Sequence, residues 1–564
     1  MRRLTKMQLQ RKSLICDRSP SRRNNTFVRG KIESHDKLIR IAWWVLAATV
    51  LGLTIAIRIR LLGIPLERDE GEYAYAGQLM LQGIPPYRLA YNMKFPGTYA
   101  AYAVIMSIFG QTITGIHMGL LLVNAASVAL IFFLGRRLVN STAGLAAAAS
   151  YAFLSVSPVV RGFAAHATHF VMLPVLGGAL LLLYRTHRQA FTRLFGSGLL
   201  FGLGVLMKQP AVFFILFGAT YLFARDIRER FPLKTIFLRN LIFGAGVILP
   251  FGITCLLLWH AGAFDKFWFW TMDYARQYGS LVPQSEALRI FVYNAREVIG
   301  TSWALWALAG IQLIAGLWNR RMRSSTAFLL GLLAFSALAL SVGFYFRYHY
   351  FILVLPAVSL LAGAAIAEAD HLLVHRARSI RIFALVIAAG AMGLQVFRER
   401  ELLFRIPVDS IPRYVYGLSP FAESIPIAKY LREHTTPNDT IAILGSEPQI
   451  YFYSNRHSAT GYIYTYGLME PQKYAGQMQC EMIREIEVAR PKYLIIIAME
   501  DSWTRWHDSK LEIFNWATKY SAQNYTAVGF VNIVGADHTD YFFGNIPASV
   551  MYLKDYILIY ERKS

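Results

Sequence analysis

The chain has 564 residues, of which 55% are hydrophobic and only 16% are charged, whereas an ordinary soluble protein has about 25% charged residues. Because 14% of the residues are aromatic, the composition excludes an intrinsically disordered chain. The three cysteines, Cys16, Cys255 and Cys480, are scattered, which excludes a scaffold held by disulfides. Long uncharged stretches instead indicate an integral membrane protein.

The net charge of +23 has a clear local component at the amino terminus. Residues 1–40 contain twelve Lys and Arg residues against three acidic ones, and an apolar stretch follows directly. This arrangement is typical of a cytoplasmic tail that anchors a membrane span. The tail has no apolar stretch with a cleavage site early enough for a signal peptide. We therefore predict a basic cytoplasmic tail over residues 1–40 and no nucleic-acid partner.

Uncharged runs long enough to cross a bilayer predict eleven membrane spans within residues 41–397. They are Ile41–Ile57, Thr112–Gly135, Leu138–Val160, Gly162–Tyr184, two short spans within Leu194–Ala224, Asn240–Phe264, Val298–Asn319, Ser324–Phe346, Tyr348–Ala367 and Ile382–Phe397. The stretch that begins at Phe95 and precedes Thr112 is expected to lie along the membrane surface.

The segment Leu194–Ala224 contains Lys208 and could cross the membrane once or twice. One crossing would bury Lys208 near the bilayer centre at a cost of about 2.5–3.5 kcal/mol, whereas two crossings would place it at a turn. Basic clusters flank the segment on both sides: Arg185, Arg188 and Arg193 before it, and Arg225, Arg228, Arg230 and Lys234 after it. If both clusters are cytoplasmic, the chain crosses twice. We therefore predict a hairpin, a cytoplasmic N-terminus and a C-terminus outside.

Residues 398–564 have a different pattern. Short strand-like runs at 441–444, 493–497 and 556–560 alternate with helical spacing at 425–435 and 472–489. The predicted fold class is a polytopic α-helical membrane protein with a C-terminal soluble α/β domain.

The first outer loop, residues 58–97, combines adjacent carboxylates with a lysine. Asp69 and Glu70 begin a stretch with helical spacing, and Lys94 lies at the other end of the loop. Acidic residues in a first helical turn are ordinary caps and dipole partners, and this alternative stays open. A carboxylate and a cation at a membrane surface also suit transfer from a phosphate-linked lipid to a hydroxyl or amine. The carboxylate would take the acceptor proton, and the cation would stabilise the leaving phosphate.

The pattern Asp69-Glu70-x-x-Tyr73-Ala74, followed by Lys94-x-Pro96, resembles the first outer loop of GT-C membrane glycosyltransferases. The resemblance is to the protein mannosyltransferase and lipid A aminoarabinose transferase superfamily, with its bacterial relatives. The stretch at 202–214 is similar to the Lys-x-Pro hairpin of that superfamily, and the stretch at 347–363 is similar to a late span. The resemblance implies a GT-C domain over residues 41–397, followed by a periplasmic domain over 398–564.

The resemblance also implies the activity. It implies a glycosyltransferase of a bacterial inner membrane that moves a sugar from a polyprenyl-phosphate-linked donor to a protein, lipid or glycan on the outer face. Asp69, beside Glu70, would be the catalytic base, and Lys94 would contact the donor phosphate. Transfer would invert the anomeric centre in one displacement. Many relatives carry a second acidic residue where this chain has His166, so we expect chemistry without a metal or another cofactor.

Further candidates for substrate binding are Tyr73, Arg161, His166, Lys208, Arg347 and His349. His166 and His169 could bind a metal, contact a sugar or phosphate, or close a helical turn. Lysine and arginine at span ends commonly extend to lipid head groups, which is the alternative for Lys208 and Arg347. The same structural interpretation is favoured for Arg58 and Arg60 at the outer end of the first span.

Two other function classes fit this composition. A multi-span transporter or lipid flippase would also need many spans, but transporters place their binding residues at mid-membrane in repeated halves. A non-catalytic receptor would bind a partner through the C-terminal domain. Release of polyprenyl phosphate from a lipid-linked sugar separates a transferase from both.

Overall fold

The computed structural model describes residues 21–184, 190–320, 322–373, 378–544, 546 and 554–563. Residues 1–20 of the predicted basic tail, and Arg185 and Arg188 of the first basic cluster, lie outside the described residues. The rest of the tail is continuous with the first membrane helix, because a single helix runs over Ser21–Arg60.

Helices joined by short loops build the part of the chain that precedes the C-terminal domain. In chain order they are α1 (Ser21–Arg60), α2 (Arg68–Leu81), α3 (Gly97–Phe109), α4 (Ile113–Leu138), α5 (Ser141–Leu154), α6 (Ala167–Leu183), α7 (Ala190–Met207), α8 (Val212–Arg228), α9 (Leu233–His260), α10 (Phe264–Trp268), α11 (Ala275–Gly279), α12 (Gln284–Thr301), α13 (Trp303–Trp318), α14 (Arg323–Ser341), α15 (Leu355–Leu372) and α16 (Arg378–Arg400). A π-helical segment, Phe269–Tyr274, joins α10 to α11.

Within the described residues, seven helical segments are long and apolar enough to cross a membrane. They are Lys37–Gly63, Ile113–Leu138, Gln209–Arg228, Leu233–His260, Arg323–Phe344, Leu355–Leu372 and Ile382–Arg405. The pair α12 and α13, bent by 104°, adds an eighth if it forms one span. Helices α5, α6 and α7 are apolar but shorter. All eleven predicted spans thus coincide with helices, of which only seven or eight have a full spanning length.

The two predicted spans Leu138–Val160 and Gly162–Tyr184 differ most from the structure. Helix α5 ends at Leu154 and α6 begins at Ala167, so residues 155–166 form a loop instead of helix ends. Arg161 in this loop has a left-handed backbone with φ 57°. The loop is apolar and largely buried, which explains why an uncharged run did not distinguish it from a helix.

Helices α7 and α9 pack with their backbones in direct contact. A Cβ atom added to Gly202 would lie 2.3 Å from the carbonyl oxygen of Val247, so only glycine permits this approach. Helix α7 ends at Met207 and α8 begins at Val212, which places Lys208 in the turn between them. The hairpin hypothesis expected a turn at this residue. The sides of the membrane on which its flanks lie stay a prediction.

The C-terminal domain combines short helices with a six-stranded mixed sheet of order β2-β1-β3-β6-β4-β5. Its elements are α17 (Ile411–Tyr416), α18 (Ser424–Glu433), β1 (Thr440–Leu444), α19 (Gln449–Ser454), β2 (His457–Ser458), α20 (Tyr466–Met469), α21 (Ala475–Ala489), β3 (Tyr493–Ala498), α22 (Glu500–Trp503), α23 (Glu512–Asn524), β4 (Tyr525–Ile533), β5 (Thr539–Phe543) and β6 (Tyr556–Arg562). Strand β1 is parallel to β2 and β3, whereas β6 is antiparallel to β3 and β4. The three strand-like runs predicted from the sequence correspond to β1, β3 and β6, and the two predicted helical stretches correspond to α18 and α21.

The C-terminal domain shares a hydrophobic core with the first outer loop. One buried cluster joins Tyr73 and Tyr75 of α2 and Tyr99 of α3 to Ile443 and Ile495 of the sheet. A Cβ atom added to Gly71 of α2 would lie 2.6 Å from the backbone nitrogen of Gln449 in α19. Helix α2 therefore lies directly between the membrane helices and the C-terminal domain.

Candidate active site

Helix α2 begins with a reciprocal capping interaction between two glutamates. The side chain of Glu67 accepts a hydrogen bond of 2.9 Å from the backbone N–H of Glu70, and the side chain of Glu70 accepts one of 3.3 Å from the backbone N–H of Glu67. This capping box fixes the start of the helix at Arg68. Asp69 therefore lies in the first turn with a defined orientation.

Lys94 lies between two carboxylates of α2. Its Nζ atom is 2.9 Å from Oδ1 of Asp69 and 2.7 Å from Oε2 of Glu72, and it lies 4.6 Å from the ring centroid of Tyr73. The second oxygen of Glu72 accepts a hydrogen bond of 2.6 Å from the hydroxyl of Tyr99. Glu72 is held on both oxygens, whereas Asp69 is the more exposed of the two carboxylates, at 15% against 1%.

The charges of this group stabilise one another. Burial alone would raise the pKa of Asp69, but the charge of Lys94 holds the pKa of Asp69 well below its usual range. Burial alone would lower the pKa of Lys94, but Asp69 and Glu72 raise that pKa well above its usual value. Asp69 is therefore an ionised carboxylate and Lys94 a protonated amine at neutral pH.

Glu70 points away from this pair. Consecutive side chains on a helix are about 100° apart, and Glu70 is only 1% exposed. Its Oε1 atom accepts a hydrogen bond of 2.6 Å from the backbone N–H of Ala165 and lies 3.0 Å from Nε2 of His117. Glu70 thus connects α2 to α4 and to the buried loop after α5.

Two histidines approach Asp69 from other parts of the chain. The rings of His166 and His349 stack with their centroids 4.1 Å apart. The possible ligand atoms of Asp69, His166 and His349 all lie within 4.8 Å of one another, a donor set that a divalent ion could use. Burial lowers the pKa of His166 to about 4, so the imidazole is neutral. One oxygen of this carboxylate, Oδ1 of Asp69, already lies 2.9 Å from the Nζ atom of Lys94.

A cavity of about 720 Å³ opens beside Asp69 and Lys94. Tyr73, Lys208 and Arg347 line it together with this pair. The Nζ atom of Lys208 lies 3.7 Å from the ring centroid of Tyr350, and burial lowers the pKa of Lys208 to about 7. The structure therefore brings three predicted cations into one cavity with Asp69.

An apolar wall borders the same cavity. It is formed by residues of the hairpin and of the helix after it: Gly202, Val205, Val212, Ile215, Val247, Ile248 and Phe251. The cavity thus joins a charged end to a surface that matches a hydrocarbon chain.

Arg161 is not among the residues that line this cavity. Its guanidinium lies 5.4 Å from the ring centroid of Tyr348 and 4.8 Å from that of Tyr416. Arg58 donates hydrogen bonds to the backbone carbonyls of Ser155 and Gly162. Arg60 likewise donates to carbonyls of the segment after α16. Arg58 and Arg60 thus hold neighbouring backbone segments in place, which matches the structural role favoured for them from the sequence.

Several cavity residues come from parts of the chain that were not predicted to contribute. Tyr464 of the C-terminal domain donates a hydrogen bond of 3.2 Å to Oδ1 of Asp69. Tyr466 and Glu470 also line the cavity, as do Trp270 and Tyr274 from the aromatic segment between α9 and α12. The available signal was the tyrosine-rich run at 462–466, in which Tyr462, Tyr464 and Tyr466 stand at alternate positions.

Known proteins resemble this chain in part of its sequence and in its fold. Residues 94–254 match the family model described as dolichyl-phosphate-mannose-protein mannosyltransferase. ArnT from Cupriavidus metallidurans bound to undecaprenyl phosphate superposes with a TM-score of 0.55 at 14% identity, over 92% of this chain and 97% of ArnT. AglB, the oligosaccharyltransferase of Archaeoglobus fulgidus in complex with an inhibitory peptide and a dolichol-phosphate, gives a TM-score of 0.51 at 13% identity, over 89% of this chain and 75% of AglB. The chain has the GT-C fold.

The GT-C fold confirms the predicted resemblance and the predicted fold class. No curated protein matches the sequence. At this level of identity the likeness to ArnT and AglB is one of fold, so the roles of Asp69, Glu70, Lys94 and the other candidate residues stay predictions.

Proposed function

We propose that this chain is a membrane glycosyltransferase that moves a sugar from a polyprenyl-phosphate-linked donor to an acceptor. The acceptor would be a protein, lipid or glycan on the outer face of a bacterial inner membrane. The observation that carries the proposal is the single cavity in which Asp69, Lys94, Lys208 and Arg347 share walls with an apolar surface. A phosphate bonded to an isoprenoid chain needs both surfaces side by side.

In the proposed reaction, Asp69 accepts the proton of the acceptor hydroxyl or amine as the acceptor atom bonds to the anomeric carbon. The bond between that carbon and the phosphate oxygen breaks, and polyprenyl phosphate leaves. Lys94, Lys208 and Arg347 stabilise the charge that grows on the phosphate. Attack opposite the leaving group inverts the anomeric centre in one displacement.

We propose further that the reaction needs no divalent ion. Four cations line the cavity, Lys94, Lys208, Arg276 and Arg347, and two of them, Lys94 and Lys208, add positive charge beside His166. The neighbours support a lipid-phosphate ligand, because ArnT was solved with undecaprenyl phosphate and AglB with a dolichol-phosphate. Addition of EDTA should leave the rate unchanged, and a loss that Mn²⁺ or Zn²⁺ restores would assign the Asp69, His166 and His349 group to a metal.

The test uses the purified full chain in lipid nanodiscs with a polyprenyl-phosphate-linked sugar. Mass spectrometry should detect free polyprenyl phosphate and a glycosylated acceptor from cell-envelope extracts, and neither product should form with Asp69→Asn. A transporter or flippase would move the lipid across the bilayer without releasing polyprenyl phosphate. That outcome would contradict the proposal.

A further inference from the structure

Part of the cavity is lined by a carboxyl group and a set of tyrosines that the reaction above does not use. Oε2 of Glu470, in the C-terminal domain, accepts a hydrogen bond of 2.6 Å from the hydroxyl of Tyr274. Tyr278, Tyr345 and Tyr466 line the same cavity. We refer to Glu470, Tyr274, Tyr278, Tyr345 and Tyr466 as the tyrosine wall.

The tyrosine wall is a continuous surface built from separate parts of the chain. The rings of Tyr278 and Tyr345 stack with their centroids 4.7 Å apart. A Cβ atom added to Gly467 would lie 2.7 Å from the hydroxyl oxygen of Tyr274, so the C-terminal domain packs closely against the aromatic segment here. Glu470 is only 6% exposed. Its carboxyl is therefore held at a fixed place in the cavity wall.

We propose that the tyrosine wall binds a neutral sugar ring, so that the C-terminal domain selects the sugar that the enzyme handles. This inference rests on the proposed function. The chemistry favours a sugar because a carboxylate accepts hydrogen bonds from ring hydroxyls, whereas tyrosine hydroxyls both donate and accept. Aromatic rings supply flat apolar area for the C–H face of a sugar.

The charges of the cavity argue against a protonated amine as the ligand. Four cations line the cavity, Lys94, Lys208, Arg276 and Arg347, against the two carboxyl groups of Asp69 and Glu470. The Nη2 atom of Arg347 lies 3.3 Å from the hydroxyl of Tyr278, within the wall itself. A second positive charge would be repelled there, whereas a neutral sugar can accept a hydrogen bond from Arg347 and donate one to Glu470.

The experiment measures sugar binding apart from transfer. Saturation-transfer NMR with the full chain in nanodiscs compares mannose, galactose and N-acetylglucosamine with glucosamine, which carries a protonated amine. At least one neutral sugar should bind more tightly than glucosamine. Glu470→Gln should lower the affinity for that sugar about tenfold or more, and Tyr274→Phe should lower it several-fold. The proposal is wrong if no neutral sugar binds to the native chain or if glucosamine is preferred. It is also wrong if the sugar affinity of Glu470→Gln is within twofold of that of the native chain.

A matched control is available in the same domain. The hydroxyl of Tyr462 donates a hydrogen bond of 2.8 Å to Oε2 of Glu481, and Glu481 does not line the cavity. Glu481→Gln should bind the sugar with the affinity of the native chain. If Glu481→Gln lost as much affinity as Glu470→Gln, the assignment of the sugar site to the tyrosine wall would be overturned. Affinity for sugar-free polyprenyl phosphate is measured in parallel and should stay within twofold in every variant. Failure of the native chain to bind that lipid would count against the proposed function and not against the wall.

The sugar could belong to the donor or to the acceptor, and a competition experiment separates these sources. The neutral sugar is titrated with the polyprenyl-phosphate-linked sugar present at saturation. If the wall holds the sugar of the donor, the free sugar will be displaced. If the wall holds the sugar of a glycan acceptor, the free sugar will still bind. Either result supports the wall as a sugar site and assigns its source.

Discussion

The Nη2 atom of Arg68, in the first turn of α2, lies 2.6 Å from Oε1 of Glu447, which follows strand β1. Both side chains are buried. The same guanidinium donates to the carbonyl of Ser446 at 2.5 Å and to the hydroxyl of Tyr466 at 2.6 Å. Arg68 is the neighbour of Asp69, so this ion pair connects the catalytic candidate to the C-terminal domain. Because Tyr466 belongs to the tyrosine wall, Arg68 also contacts that wall directly.

The ion pair gives the first prediction. Arg68→Met leaves Glu447 as an uncompensated buried charge, which costs roughly 3–5 kcal/mol in comparable pairs. We expect a clear fall in the thermal unfolding midpoint of the purified chain. The double variant Arg68→Met with Glu447→Met should unfold at a higher temperature than Arg68→Met alone, because no charge is left unpaired. A single variant as stable as the native chain would show that the two domains dock without this pair.

Contacts within one loop can be predicted from the sequence, whereas contacts between distant parts of the chain cannot. The sequence predicts Asp69 and Lys94 as site residues because both lie in one short loop. It predicts the spans because apolarity is a local property of the chain. The hydrogen bond from Tyr464 to Asp69 joins residues 395 positions apart, and no local pattern encodes that pairing. The buried loop at 155–166 was missed for another reason. This loop is buried by the surrounding protein and is rich in apolar residues, so its sequence resembles that of a span.

Lys208 gives a prediction about pH. Burial lowers the pKa of Lys208 to about 7, so the free protein loses this positive charge as the pH rises through 7. Affinity for a lipid phosphodiester, whose own charge is constant in this range, should therefore fall between pH 6 and pH 8.5. Lys208→Arg should remove that dependence, because arginine stays protonated. Native binding that is flat across this range would remove Lys208 from the phosphate site.

Lys94 gives a prediction about donor binding and about the rate of transfer. Lys94→Ala should weaken donor binding and slow transfer, because the cation would meet a phosphate whose charge grows in the transition state. Without Lys94, burial raises the pKa of Asp69, so the residual rate should increase as the pH rises. Lys473 is a matched control: its Nζ lies 4.7 Å from the ring centroid of Tyr474, and it does not line the cavity. Lys473→Ala should match the native rate; unchanged donor affinity and rate in Lys94→Ala would exclude Lys94.

Cys480 tests the predicted orientation of the chain. It is a free, exposed cysteine in the C-terminal domain. In a variant with Cys16→Ser and Cys255→Ser, a membrane-impermeant maleimide should label Cys480 in spheroplasts that retain an intact inner membrane. A cysteine introduced at Arg230, in the turn after α8, should react only after permeabilisation. Labelling of Cys480 only after permeabilisation would place the C-terminal domain inside and overturn the predicted topology.

The last prediction separates the two neighbouring carboxylates of α2. Asp69→Asn keeps the shape of the side chain and removes the proton acceptor, so general-base catalysis predicts a loss of transfer rate of roughly 10²–10⁴-fold. The thermal midpoint should fall only modestly, because Glu72 still pairs with Lys94 when Asp69 loses its charge. Asp439→Asn is the control, since Asp439 also pairs with a lysine, Lys492, at 3.6 Å but in the C-terminal domain. That variant should transfer sugar at the native rate.

Glu70→Gln should have the opposite signature. Its carboxylate is buried and accepts the backbone N–H of Ala165 while lying beside His117, so the loss of charge removes a strong hydrogen-bond acceptor from the interior. We expect a lower thermal midpoint with a near-native rate per folded molecule. Both variants are measured for sugar transfer in nanodiscs at matched amounts of folded protein. A fully active Asp69→Asn would exclude Asp69 as the base, and an inactive but stable Glu70→Gln would assign that role to Glu70.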